Sequence, residues 1–85
     1  MVNGGDRVKL QEVRKRTGLS QAELSKLSGV NLRTIQEYEY GRKIVDSAKL
    51  DIITALADAL RVPLYALIED GELAERVKNN TKREA

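Results

Sequence analysis

The 85-residue sequence contains no cysteine, no histidine, no tryptophan and no phenylalanine, and only one proline. Without cysteine there are no disulfides, thiol nucleophiles or thiolate metal sites. Without histidine the His-based triads and the remaining usual zinc constellations are excluded too. The acidic residues lack the loop spacing of a calcium or magnesium site. No nucleophile–base pair offers itself for obvious chemistry, and NGGD near the N-terminus lacks the Lys and Ser/Thr of a phosphate-binding loop. The expectation is a protein that is not an enzyme, with no metal and no cofactor. No apolar run approaches the length of a membrane span, and MVNGGDR has no apolar signal region. The chain therefore reads as cytosolic, without a membrane partner.

Three tyrosines are the whole aromatic complement. A core must come from Leu, Ile, Val and Ala, which suits packed helices better than sheets. At this length one domain is expected, with a modest margin of stability. The net charge of +2 conceals an uneven distribution. Residues 1–43 hold nine Lys/Arg against five Asp/Glu, residues 44–75 two against seven, and residues 76–85 four against one. Solvated helix faces carry charge anyway, but a basic front and an acidic back also orient a molecule towards a polyanion.

After a leader at 1–6, Leu10 and Val13 begin an apolar stripe and Thr17-Gly18 stops it, which predicts a first helix over 7–17. Ser20 and Glu23 have the spacing of a capping box, flanked by Leu19 and Leu24 as a hydrophobic staple. They predict a second helix over 21–28 with Leu24 and Leu27 inward, ended by Gly29. Only Gly29, Val30 and Asn31 separate it from a third helix, so brief a turn being what a helix-turn-helix requires. Asn31 is a good N-cap. With Ile35 at the centre of the inward face, about 100° per residue brings Asn31, Tyr38 and Glu39 to its side. Arg33, Gln36, Glu37 and Tyr40 fall opposite, with Leu32 on the flank.

Gly41 closes the third helix, and Asp46 or Ser47 is the expected cap of a fourth over 48–61, with Leu50, Ile53, Leu56, Ala57 and Leu60 inward. Pro63 opens a short fifth helix, LYALIED, ended by Gly71. Residues 71–85 form either two further turns through Leu73 and Val77 or a basic tail. A carboxylate at the inward position 39 needs a partner. Arg14, next to Val13, is a candidate, though Glu39 can also bend outward.

The run GLSQAELSKLSGVNLRTIQEYEYG, residues 18–41, resembles the helix-turn-helix of the phage repressor and Cro (Xre-type) DNA-binding family. The later SAKLDIITALADALRVPLYALIED resembles the family's fourth and fifth helices, so the likeness covers about residues 8–70. Gly18-Leu19-Ser20-Gln21, Glu23-Leu24, Gly29-Val30, Thr34-Ile35, Glu39 and Gly41 carry it. Ser25 stands where the family usually has Ala, and Arg61 where it often has Gly. The resemblance implies an all-α, compact five-helix, lambda-repressor-like domain over 7–70, its helix-turn-helix formed by the second and third helices. It also implies a recurrent Arg14–Glu39 ion pair and a cytoplasmic protein of bacterial or phage origin.

The function implied is sequence-specific binding of double-stranded DNA by a small transcriptional regulator, a homodimer with residues 31–40 in a major groove about 12 Å wide. The resemblance places base readout at Asn31, Leu32, Arg33 and Glu37, with Gln36 beside them. In chemical terms Arg33 suits guanine, Gln36 adenine and Leu32 a thymine methyl, while Glu37 suits cytosine N4 or else holds Arg33 in position. Phosphate contacts are expected from Gln21, which the resemblance marks, and from Tyr40, Arg42 and Lys43. Leu64, Leu67, Leu73 and Val77 suggest a dimer surface around the fifth helix and 72–78. A second implied role is that of a protein-interaction module, an antitoxin or a partner-dependent regulator, whose acidic back or tail holds another protein.

Overall fold

The first helix, α1 (Lys9–Thr17), ends where the backbone turns left-handed at Gly18, φ +85°. The Gly18 and Leu19 N–H groups both return to the Arg14 carbonyl, at 3.1 and 3.2 Å. That closes the helix and commits the chain to an immediate reversal. The computed structural model describes residues 8–82; the expected leader at 1–6 lies outside them.

The capping box starts α2 (Gln21–Ser28) as its spacing predicts. The Glu23 N–H donates to Ser20 Oγ at 3.0 Å, and the Ser20 N–H donates to Glu23 Oε1 at 2.8 Å. Leu24 is fully buried and Leu19 packs against the core. Leu27 does not turn inward: it is 64% exposed. The buried arc of α2 is centred on Leu24, Ser28, Gln21 and Ser25, and about 100° per residue puts Leu27 beyond its edge. Two hydroxyls occupy the position expected of a second leucine because the turn uses them. Ser25 Oγ donates to the Val30 carbonyl at 2.6 Å, and Ser28 Oγ accepts from the Val30 N–H at 3.0 Å. With Gly29 at φ +78° and Val30 buried, the three-residue turn is held on both sides.

Helix α3 (Leu32–Glu39) opens at Asn31, whose Oδ1 accepts from the Arg33 N–H at 2.7 Å. Ile35, Tyr38 and Glu39 are buried, as the helical angles require, but Asn31 is exposed. As the N-cap it lies before the first helical residue, so the angular projection does not apply to it. The helix ends at Glu39, with Tyr40 as its cap and Gly41 left-handed just beyond.

The next stretch differs from the sequence expectation. Val45–Ser47 forms a single 3₁₀ turn, Ala48 and Lys49 are extended, and α4 (Leu50–Leu60) begins without a side-chain cap. Asp46 is engaged elsewhere, accepting the Glu69 and Asp70 N–H groups at 2.7 and 2.9 Å. Ile53, Leu56, Ala57 and Leu60 face the core, whereas Leu50, at the first helical position, is 71% exposed. Pro63 opens only one 3₁₀ turn, Leu64–Leu67. Gly71 then begins a helix instead of ending one: α5 (Gly71–Lys82) is started by Asp70, which accepts the Glu72 and Leu73 N–H groups at 2.9 and 3.0 Å.

The result is all-α, five α-helices with no strand among the described residues. Leu10, Leu24, Ile35, Leu56 and Leu67 are fully buried, one from each of α1 to α4 and one from the second 3₁₀ turn. Each contributes about 2 kcal/mol by leaving water. Helix α5 packs on that turn through Leu73 and Ala74. Carboxylates distant in sequence tie the ends together, for Glu69 also accepts the Lys9 N–H at the start of α1 at 2.6 Å.

Candidate nucleic-acid interface

The outer face of α3 is positioned from beneath by one buried ion pair. Arg14 Nε donates to Glu39 Oε2 at 2.6 Å, and Arg14 Nη2 to Oε1 at 2.9 Å. Both residues are buried, at 8% and 5% exposure. Two charges withdrawn from water require further hydrogen bonds, and they have them. Arg14 Nη1 donates to the Leu19 carbonyl at 2.8 Å, and Gln21 Nε2 donates to Glu39 Oε1 at 3.0 Å. One cluster thus joins α1, the turn after it, α2 and α3. Hydrogen bonding to Glu39 holds the Arg14 guanidinium above its ordinary pKa, against the lowering effect of burial and with the help of the Glu39 charge.

Of the expected base-reading residues, Asn31, Leu32 and Arg33 are exposed, while Gln36 and Glu37 are half-buried. They do not form a uniform face. Asn31 has its side-chain oxygen engaged as the N-cap. Arg33 is the most open, its side chain 82% exposed. Glu37 stands between two cations, with its Oε1 3.2 Å from Lys43 Nζ and its Oε2 3.8 Å from Arg33 Nε. The Glu37 carbonyl also accepts the Arg42 and Lys43 N–H groups, at 2.8 and 3.2 Å. The chain after α3 therefore doubles back over the helix's last turn.

The expected phosphate-contacting residues divide in the same way. Tyr40 is 60% exposed and Arg42 is exposed without a side-chain partner among the described residues. Lys43 is already paired with Glu37, and the Gln21 side chain is half-buried against Glu39. At the start of α2 the capping box serves the Glu23 N–H, and the N–H groups of Gln21 and Ala22 have no intrahelical acceptor. The structure also brings Lys49 into view, exposed at the uncapped start of α4. Helical angles already put Lys49 on the outer face of the fourth helix, although that helix is expected to begin before it. The Glu37–Lys43 link was hidden, since six residues is not a helical neighbour distance; the left-handed Gly41, φ +80°, makes it possible.

A model of the helix-turn-helix family matches residues 10–67, from α1 through the second 3₁₀ turn. This chain belongs to the helix-turn-helix family. Its type is that of the phage repressors and Cro (Xre-like), a family of DNA-binding regulators. Comparison with curated proteins and with solved structures finds no match. Within this helix-turn-helix protein, α2 and α3 are the two helices of the motif, and the serine-clasped Gly29–Asn31 segment is the turn. Among the described residues no three His, Cys, Asp or Glu side chains group to hold a metal ion, and no helix is long and apolar enough to cross a membrane.

Proposed function

We propose that this helix-turn-helix protein reads double-stranded DNA sequence-specifically, with α3 in the major groove, as a small transcriptional regulator. The observation that carries the reading is the two-sidedness of α3. Its inner face is fixed by Ile35, Tyr38 and the buried Glu39, while its outer face presents Arg33, with its side chain 82% exposed, beside the partly exposed Leu32. A helix so rigidly seated keeps its side chains in register with base edges, as direct readout requires.

In this reading Arg33 makes the bidentate guanine contact, Gln36 and Leu32 address neighbouring pairs, and Asn31 acts mainly by setting the start of the helix. Glu37 faces cytosine N4 on the matching site. Arg42 and Tyr40 meet the phosphate backbone, joined by Lys43 when it leaves Glu37. The Gln21 side chain and the first N–H groups of α2 approach the backbone on the other side. The chain works as a homodimer on a two-fold operator with half-sites about 34 Å apart, in the bacterial cytoplasm, encoded by the bacterium or by a phage. The surface around the Leu64–Leu67 turn and α5 remains our choice for the pairing face, resting on the half-buried Leu64, Leu73 and Val77. Leu67 itself is fully buried and takes no part.

Ile44 and Leu50, 60% and 71% exposed, favour a second reading in which another protein docks beside the DNA-reading helix. Selection of a random duplex library by the purified protein at about 150 mM salt tests both, because non-specific binding is weak there. A two-fold motif with half-sites one helical turn apart is the expected result. A folded protein that enriches no sequence overturns the DNA-reading assignment and favours the partner-dependent one.

A further inference from the structure

We propose that Glu37 sets the ratio of specific to non-specific DNA binding by withholding Lys43, and in part Arg33, from phosphates; the inference rests on the DNA-reading assignment of α3. The arrangement is layered. The Glu37 side chain is only 22% exposed, whereas Lys43 and Arg33, at 57% and 82%, lie outside it. Both cations are long and can swing towards a ligand. The carboxylate follows less far, because its side chain is shorter and largely covered and the Glu37 backbone is held in the helix, its carbonyl tied to the Arg42 and Lys43 N–H groups at 2.8 and 3.2 Å.

Each cation that moves to a phosphate therefore leaves a negative charge behind, facing a polyanion. On a random sequence nothing compensates it, since phosphate oxygens and most major-groove edges near Arg33 are acceptors. Where a cytosine amino group faces Glu37 and a guanine faces Arg33, both are repaid by hydrogen bonds. The carboxylate thus discriminates chiefly by weakening the wrong complexes. It also explains why a cation six residues downstream is tethered to a helix that already carries Arg33.

Glu37→Gln removes the charge and keeps the shape and the backbone bonds. Its binding to a random-sequence duplex and to the duplex enriched by the wild-type protein is measured across salt concentrations, with folding checked by circular dichroism. The random duplex is expected to bind about fivefold more tightly, the effect of one unit charge about 4 Å away in water. Its log–log salt slope steepens by about one unit, because Lys43 then releases a phosphate counterion without leaving an anion behind. The enriched duplex gains nothing, so the specificity ratio falls at least fivefold. A second measurement does not depend on that variant: in the wild-type background Lys43→Ala is expected to leave the salt slope on the random duplex nearly unchanged, whereas Arg42→Ala lowers it by about one unit. Equal gains on both duplexes for Glu37→Gln, or equal slope changes for Lys43→Ala and Arg42→Ala, overturn the role of Glu37 alone. Failure of the wild-type protein to enrich any duplex overturns the DNA-reading assignment and this role with it.

Discussion

Replacing Arg14 by methionine isolates the energetic role of the cluster under α3. The substitution keeps an unbranched apolar stem reaching about as far as Nε but removes two hydrogen bonds to Glu39 and one to the Leu19 carbonyl. Glu39, 5% exposed, is left with Gln21 alone at 3.0 Å. Breaking a buried pair on one side costs about 3–5 kcal/mol, because a desolvated charge remains. A domain of this size has about 4–13 kcal/mol in total, so the variant loses a large part of its stability. Its melting temperature is expected to fall by roughly 15–30 °C in a two-state thermal unfolding curve. The double variant Arg14→Met/Glu39→Met removes both charges and is expected to regain most of the loss. It should stay about 1 kcal/mol short of the wild type, since the Leu19 carbonyl still lacks its donor. The Arg14 pKa is raised on folding, so its stabilising effect is complete below the unfolded value and is lost only as pH rises through the folded one. Both values lie far above neutrality, and Arg14 therefore adds no pH dependence between roughly pH 6 and 9. A single variant that melts within about 5 °C of the wild type, or a double variant whose loss equals the sum of the two singles, would refute this account.

Arg61 holds a left-handed conformation at φ +59°, where the backbone of a glycine is unstrained. Arg61→Gly is expected to stabilise by about 0.5–1 kcal/mol in urea unfolding, and an unchanged or lower midpoint would show that no strain is stored there. Asp46→Ala removes the acceptor of the Glu69 and Asp70 N–H groups, at a cost of about 1–2 kcal/mol. Hydrogen exchange should quicken first in α5, and uniform quickening would mean that the link is not local. Arg33→Ala and Arg42→Ala should separate readout from anchoring. The first is expected to cost about 1–3 kcal/mol on the best duplex and flatten preference at one base pair. The second weakens all duplexes alike and lowers the salt slope by about one unit. A uniform loss for Arg33→Ala, or a sequence-dependent one for Arg42→Ala, reverses the assignment.

The local sequence determined where α1 ends, where α2 begins and ends, and where α3 begins. Ser20 with Glu23, Gly18, Gly29 and Asn31 act within a few residues of themselves, so their signals can be read in one dimension and the structure shows each at its expected place. The inward positions of Ile35, Tyr38, Ile53, Leu56 and Leu60 follow from helical periodicity in the same way. Periodicity failed where polar groups took the inner face. Leu27 is exposed because Ser25 and Ser28 clasp the turn, and that requirement appears only once two helices meet.

Tertiary structure decided the remainder through groups far apart in the chain. Asp46 looked like the cap of α4 but serves the approach to α5, and Glu69 caps α1 from 60 residues away. The short EDG sequence reads locally as a helix end, because Gly71 follows the apolar run. Asp70 as a cap, Asp46 beneath it and the packing of Leu73 on the core resolved it as a start. Within the candidate site the sequence supplied the residue types on the outer face of α3. Only the reversal at Gly41 decided that Lys43 would return to Glu37 while Arg42 stayed open, because a contact across a loop depends on where the backbone goes and not on the spacing of letters.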